Sequence, residues 1–153
     1  KCGAKVIKRP LSLSTDESIS ESALLHFAEN ESFDILVFLQ ATCPFIMSKD
    51  INDSIKLMTK YDSVVSVSKL DQLFLWNDSG PMYDINNRKR RQDREENYIE
   101  TGSMFVTTRK GLVDNKNRLS GNIGFVKVPK WRSIDIDTHE DLELVRKIMH
   151  ANS

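Results

Sequence analysis

A chain of 153 residues with 39% hydrophobic content is sized for one globular domain with a real core. Lys and Arg number 22, as do Asp and Glu, so no global field draws the chain to nucleic acid or an anionic membrane, and any charged ligand must be recognised locally. The two cysteines, Cys2 and Cys43, make no disulfide framework, no apolar run approaches the length of a membrane span, and Lys1-Cys2-Gly3-Ala4-Lys5 has no signal-peptide core; the expected setting is a reducing, cytoplasmic one, with nuclear residence left open.

Ala4 to Lys8, centred on Val6 and Ile7, reads as a short strand that leaves the sheet at Arg9-Pro10. Ser18-Ile19-Ser20-Glu21 has the capping-box pattern ahead of a helix carrying Leu24, Leu25, Phe27 and Ala28. The run from Phe33 to Leu39 is too short for a buried helix and is typical of a central parallel strand covered on both faces. It ends in Gln40-Ala41-Thr42-Cys43-Pro44, beyond the carboxyl end of a strand, where an open parallel sheet usually binds its ligand. Ser48 is placed to cap a helix with Ile51, Ile55 and Met58 on one stripe, and Ser63 to Val67 reads as another strand. The alternation breaks between Leu70 and Asn97, a stretch with Trp76, Gly80-Pro81 and Arg88-Lys89-Arg90-Arg91, which reads as an excursion from the sheet. A strand around Met104 to Thr107, a short helix near Arg109 to Val113 and a strand from Ile123 to Val128 follow. A strand carrying Asp135 comes next, and a last helix begins at Thr138 with Leu142, Val145 and Met149 facing inward. This order predicts an α/β domain with a doubly wound, mostly parallel sheet.

Three features carry chemistry. On a strand, Asp135 and Asp137 point the same way, with Ile134 and Ile136 turned to the core. Such a pair of hard oxygen ligands suits a magnesium ion that also holds substrate phosphates; the alternative is a solvated strand end. Arg88-Lys89-Arg90-Arg91-Gln92-Asp93-Arg94 fits three readings: a nucleic-acid or nuclear-localisation patch, a solvated loop, or a clamp for a carboxylate or phosphate. Gln40 and Thr42 offer neutral donors and acceptors suited to sugar hydroxyls or an amide, or else they are turn residues. Cys43 has no histidine near it in sequence and reads as a structural thiol, and His26, His139 and His150 lack metal-ligand spacing.

Taken in order, Arg9-Pro10, Leu39-Gln40-Ala41-Thr42-Cys43-Pro44, Asp62-Ser63-Val64-Val65-Ser66-Val67, Arg90-Arg91-Gln92-Asp93, Tyr98-Ile99-Glu100-Thr101-Gly102-Ser103 and Arg132-Ser133-Ile134-Asp135-Ile136-Asp137-Thr138 resemble the CMP-sialic acid synthetases (acylneuraminate cytidylyltransferases) over nearly the whole chain. Cys43 stands where that family usually has serine, and Thr101 where it usually has asparagine. The resemblance implies a Rossmann-like fold of the nucleotide-diphospho-sugar transferase type. It implies transfer of CMP from CTP to the anomeric hydroxyl of a nonulosonic acid, with release of pyrophosphate. Asp135 and Asp137 would hold one or two Mg2+ ions and, with Arg91, form the catalytic group; Gln40, Thr42, Arg88, Arg90, Gln92 and Gly102 would contact the sugar acid; Arg9 and Ser20 would contact the cytosine. Residues 70–97 would form a dimerisation arm, giving a homodimer or a dimer of dimers. No nucleic-acid or membrane partner is implied.

The family's basic Gly-Ser-Lys loop, which cradles the triphosphate, has no counterpart between Lys1 and Lys8. The expectation is a single domain over residues 1–153, truncated at its N-terminus, that binds CTP weakly, turns over little and exposes a sheet edge open to self-association. Rival readings are a catalytically inactive sugar- or nucleotide-binding module, a cytidylyltransferase for legionaminic, pseudaminic or 3-deoxy-octulosonic acid, and an RNA-binding domain using Arg88 to Arg94 with steeply salt-dependent affinity. Within the family, the Gln-Ala-Thr loop and Arg-Arg-Gln-Asp favour the sialic acid branch.

Overall fold

The computed structural model describes residues 3–70 and 74–151. Residues 3–10 are irregular and pair with no strand, contrary to the strand expected at Ala4 to Lys8; Val6 is exposed, and Lys5 forms an ion pair with Glu31. A 3-10 turn at Leu11–Leu13 leads to helix α1, Ser20–Asn30. The expected capping box does not form: Ile19 occupies the N-cap position, and the Ser18 hydroxyl turns back to Thr15. The apolar face holds regardless, burying Leu24 and Ala28.

Strand β1, Ile35–Leu39, is followed by helix α2, Ser48–Leu57, and strand β2, Ser63–Leu70. Ser48 is the first residue of α2 rather than its cap. The Asp50 carboxylate accepts the Met47 N–H at 3.0 Å and so closes the helix start from inside. Ile51 and Met58 pack onto the core as the stripe requires, whereas Ile55 is 40% exposed, its place being taken by Leu57.

The excursion folds as a hairpin of β3, Trp76–Asn77, and β4, Gly80–Pro81, separate from the main sheet. The chain returns as β5, Asn97–Thr108, then α3, Arg109–Asn115, β6, Ile123–Lys127, and α4, His139–Ala151. The Thr108 hydroxyl caps α3 by accepting the Gly111 N–H at 3.0 Å. In α4, Val145 is buried but Met149 is 53% exposed, so the inward face is narrower than its periodicity predicts.

The main sheet has the order β1-β5-β2-β6. β5 runs antiparallel to both β1 and β2, and β6 runs parallel to β2, so three strands share a direction and one opposes them. This is an α/β domain with a mixed sheet. β1 is therefore neither central nor bonded to a parallel neighbour: it lies at the edge, paired with β5 alone in the described sheet. Its apolar run reports partial burial of its middle residues, and apolarity does not encode which strand lies alongside.

One face of the sheet packs Val64, Met104, Val106, Val126 and Val128 against Ile46, Ile51, Leu57 and Met58. The other carries α1 and α3, with Leu112 fully buried against Leu24, Ala28, Phe33, Leu36 and Phe38. Leu112→Ala is expected to cost about 3 kcal/mol, because three carbons leave a site enclosed on all sides. Urea unfolding followed by circular dichroism reads this as a lower midpoint at unchanged slope.

The segment around Asp135 is not a strand. Pro129 and a 3-10 turn at Lys130–Arg132 carry the chain off the end of β6, and residues 133–137 run irregularly into α4. Strand alternation therefore does not orient Asp135 and Asp137.

Candidate active site

Three separate segments converge at the end of β1. The Gln40 N–H donates to the Ser103 carbonyl at 3.0 Å, extending the β1–β5 ladder by one rung. A turn then brings the Cys43 N–H to the Gln40 carbonyl at 3.2 Å, and the Ile136 N–H donates to the Thr42 carbonyl at 3.1 Å. The loop after β1 is thus bonded on one side to the middle of β5 and on the other to the acidic segment.

At that point β5 departs from the sheet. Val65 lies opposite Phe105 and Val67 opposite Glu100, so four residues of β5, Thr101 to Met104, stand against Ser66 alone. This is a large bulge, and bulges re-aim chain at functional sites. At its apex Gly102 adopts φ +70°, and a Cβ there would lie 3.5 Å from Oδ2 of Asp135. The left-handed conformation suits glycine, and a side chain there would come into ordinary contact with the carboxylate.

Asp135 is half-buried, and its Oδ1 is buried without a hydrogen-bond partner. Cys43 is buried beside it; burial, with the adjacent Asp135 carboxylate, pushes the thiol up to about 11. The sulfur therefore carries its proton at neutral pH and is not poised as a nucleophile, as the sequence reading expects of a structural thiol. Asp137 is exposed. Its N–H, together with the N–H and hydroxyl of Thr138, donates to the Asp141 carboxylate. That capping box holds the Asp141 carboxyl below the usual range, chiefly through the Thr138 hydroxyl, and commits Asp141 to the start of α4.

No group of three or more His, Cys, Asp or Glu side chains that could cage a metal occurs among the described residues. The carboxylates available to a cation here are Asp135, which has a buried oxygen with no hydrogen-bond partner, and the exposed Asp137. That fits magnesium, which keeps several waters and binds through one or two carboxylates plus phosphate oxygens.

The segment is held from below by an ion pair that sequence spacing does not reveal. Arg132 forks onto both oxygens of Asp50, at 3.0 Å for Nη2 to Oδ1, and its Nη1 also donates to the Phe45 carbonyl at 3.3 Å. Both side chains are buried, at 10% and 7% exposure. Burial opposes ionisation of Asp50, and the Arg132 fork with the Met47 N–H overcomes it, leaving the carboxyl below its ordinary range. This strut joins the start of α2 to the chain three residues ahead of Asp135. The two partners are 82 residues apart, so no local pattern could have paired them.

Of the other expected site residues, three lie at the convergence and the rest lie elsewhere. Thr42 is exposed, Gln40 is half-buried at the convergence, and Gly102 is its floor. Arg9 is exposed ahead of the first 3-10 turn, and Ser20 opens α1, whose Glu21 forks with Arg118 at 2.6 and 3.2 Å. The arginine cluster makes its contacts within the excursion. Arg88 stacks 4.3 Å from the Phe74 ring centroid and Arg94 4.1 Å from it, while Arg90 forks onto Asp93 at 2.7 and 3.2 Å. Gln92 is exposed in a 3-10 turn at Arg91–Asp93. The Arg91 side chain lies outside the described structure. A cavity of about 270 Å³ beside this cluster is lined by Phe74, Tyr83, Asn87, Lys89 and Arg94.

No family model matches the chain. It is 32% identical over 151 residues to N-acylneuraminate cytidylyltransferase B of Danio rerio, an alignment covering 91% of this chain and 35% of that protein. It is 28% identical over 149 residues to N-acylneuraminate cytidylyltransferase of Streptococcus agalactiae serotype III, covering 91% of this chain and 36% of that one. Among solved structures, CMP:2-keto-3-deoxy-manno-octonic acid synthetase complexed with CTP superposes with a TM-score of 0.66 at 15% identity, over 90% of this chain and 70% of that one. The 4-diphosphocytidyl-2C-methyl-D-erythritol synthase of Anaerococcus prevotii also superposes with a TM-score of 0.66, at 11% identity, over 88% and 68%. The fold is therefore that of these nucleotidyltransferases, and the chain spans about a third of the length of the curated relatives it matches. By sequence, over nine-tenths of its length, the chain is similar to proteins named N-acylneuraminate cytidylyltransferase.

Proposed function

We propose that this chain carries part of the active site of a cytidylyltransferase that moves CMP from CTP to the anomeric hydroxyl of a nonulosonic acid, with sialic acid the favoured substrate. The observation that carries this reading is the convergence of Gln40–Cys43, Thr101–Ser103 and Ile134–Asp137 around a carboxylate with an unpartnered buried oxygen. The names of the sequence relatives support the substrate class.

In the proposed reaction, the anomeric hydroxyl oxygen forms a bond to the α-phosphorus. The bond from that phosphorus to the bridging oxygen breaks, pyrophosphate leaves with the electron pair, and the hydroxyl proton passes to solvent. Asp135 and Asp137 would hold Mg2+, which when bound offsets phosphate charge and acidifies the attacking hydroxyl. Gln40 and Thr42 would orient the sugar, and Gly102 would keep the approach to Asp135 open. Arg9 and Ser20 would face the cytosine. Arg88, Arg90, Arg91 and Gln92 would serve the sugar carboxylate, directly or from a neighbouring subunit. Exposed Trp76, Met82 and Ile85 support residues 70–97 as a dimerisation arm. Among the described residues no helix is long and apolar enough to cross a membrane.

Arg91→Ala is expected to raise KM for the sugar acid about tenfold or more while leaving KM for CTP within twofold, because a lost guanidinium–carboxylate fork weakens that substrate alone. The test of the proposal is an assay of the chain joined to a Gly-Ser-Lys triphosphate loop, with α-labelled CTP and magnesium, against a panel of sialic, legionaminic, pseudaminic and 3-deoxy-octulosonic acids. CMP-sugar and pyrophosphate formed in equal amounts, fastest with sialic acid, is the expected result. CTP binding with no product from any acid would replace the enzyme by an inactive nucleotide-binding module.

A further inference from the structure

The bulge in β5 has an internal scaffold of its own. Where Thr101 to Met104 leave the ladder with β2, their backbone groups lose partners on that side, and three buried hydroxyls stand in; on the other side Met104 still pairs with Leu39 and the Ser103 carbonyl with Gln40. Ser66 Oγ lies 2.7 Å from Thr101 Oγ1 and 2.9 Å from Ser103 Oγ, and Thr101 Oγ1 lies 2.7 Å from Ser103 Oγ, closing a triangle. Ser66 Oγ also accepts the Met104 N–H at 3.0 Å, and the single Thr101 hydroxyl proton goes either to an edge of the triangle or to the Ser66 carbonyl 3.2 Å away. The exposures are 0%, 7% and 3% for Ser66, Thr101 and Ser103, so water is not a ready substitute. A closed buried network of this kind fixes one backbone conformation, and losing one member strands the others.

The triangle spans the residue that supports the acidic site. Thr101 and Ser103 flank Gly102, whose backbone is left-handed and where a Cβ would come 3.5 Å from Oδ2 of Asp135. The Ser103 carbonyl takes the Gln40 N–H, and the loop that begins there reaches the acidic segment through Thr42 and Ile136. We propose that Ser66, Thr101 and Ser103 are positioning residues: their hydroxyl triangle sets the height of Gly102 under Asp135 and so places the carboxylate for its cation. This rests on the reading of Asp135 as a cation ligand, and it assigns the triangle a role beyond filling the core.

The test is Mn2+ binding by electron paramagnetic resonance in the presence of CTP, with the melting temperature of each variant recorded in parallel. Thr101→Val removes the hydroxyl at constant shape and is expected to weaken Mn2+ about tenfold or more, the usual size of an outer-layer loss at a metal site. Thr101→Ser restores the hydroxyl and is expected to return affinity to within about twofold, whatever its effect on melting. Mn2+ affinity in Thr101→Val equal to wild type, with Asp135→Asn still abolishing it, would overturn the triangle's role and leave the site intact. Equal Mn2+ binding by wild type and Asp135→Asn would instead overturn the ligand assignment, and the positioning role with it. Should Thr101→Val unfold, Ser66→Ala read against Ser66→Thr makes the same comparison.

Discussion

In a chain that also carries the triphosphate loop, Asp137→Ala is expected to lower magnesium-dependent CMP transfer by about a thousandfold, roughly 4 kcal/mol of transition-state stabilisation, while shifting the melting temperature by less than about 2 °C. The two effects separate because of where the residue lies. Asp137 is exposed, its side chain packs into no core cluster, and its N–H reaches the Asp141 carboxylate, a bond that alanine keeps. With only two carboxylates in the donor set, losing one removes half of the protein's direct hold on the cation. Steady-state kinetics beside a thermal melt reads both numbers. Activity within threefold of wild type would remove Asp137 from the site, and a large loss of melting temperature would make its role structural.

Breaking the strut beneath the site is expected to have the opposite signature. Arg132→Ala leaves Asp50 as a buried carboxylate without its guanidinium, and Asp50→Ala leaves Arg132 buried without its carboxylate. Either change is expected to cost about 3–5 kcal/mol, a fall in melting temperature of about 10 °C for a domain of this size. A double-mutant cycle with Asp50→Ala and Arg132→Ala should show the double variant less damaged than the sum of the singles, because no uncompensated charge remains. Strictly additive losses would mean that the pair is not coupled. The pH dependence has a definite sign. The folded-state pKa of Asp50 is depressed, so its contribution is complete above the unfolded-state value near 4 and is lost as pH falls through the lower folded-state value. The gap in stability between wild type and Asp50→Ala should therefore be full at pH 7 and narrow below about pH 4.

Individual elements were legible in the sequence because each announces itself locally. The run around Leu36 to Phe38 is apolar because its middle is half-buried, the run Ser63 to Val67 because it is fully buried, and α1 buries the residues its period places together. Pairing order was not legible. β5 inserts antiparallel between β1 and β2, and nothing in the composition of Met104 to Thr107 states its direction. The acidic segment kept its neighbourhood but lost its strand, because Pro129 and the following 3-10 turn take it off the sheet end. The carboxylates were conspicuous as a spaced pair; the groups that hold their surroundings in place were not. Asp50 and Arg132, like Ser66 and Thr101, are distant in sequence and ordinary in type, and only folding brings them together. The arginine cluster shows the converse. Its density of charge was legible but fits a nucleic-acid patch, a solvated loop or a clamp alike, and only the fold shows Arg88 stacked on Phe74 and Arg90 paired with Asp93 within the excursion.

The most direct test of the central claim, that Asp135 and Asp137 with the loop after β1 and the β5 bulge form a magnesium-dependent CTP site, is calorimetric titration of the chain with CTP. Titrations with and without magnesium are run for wild type and Asp137→Ala. The expected result is binding by wild type that requires magnesium and is lost in Asp137→Ala. Heats that are the same with and without magnesium and in the variant, or no CTP binding by wild type at saturating magnesium, would contradict it.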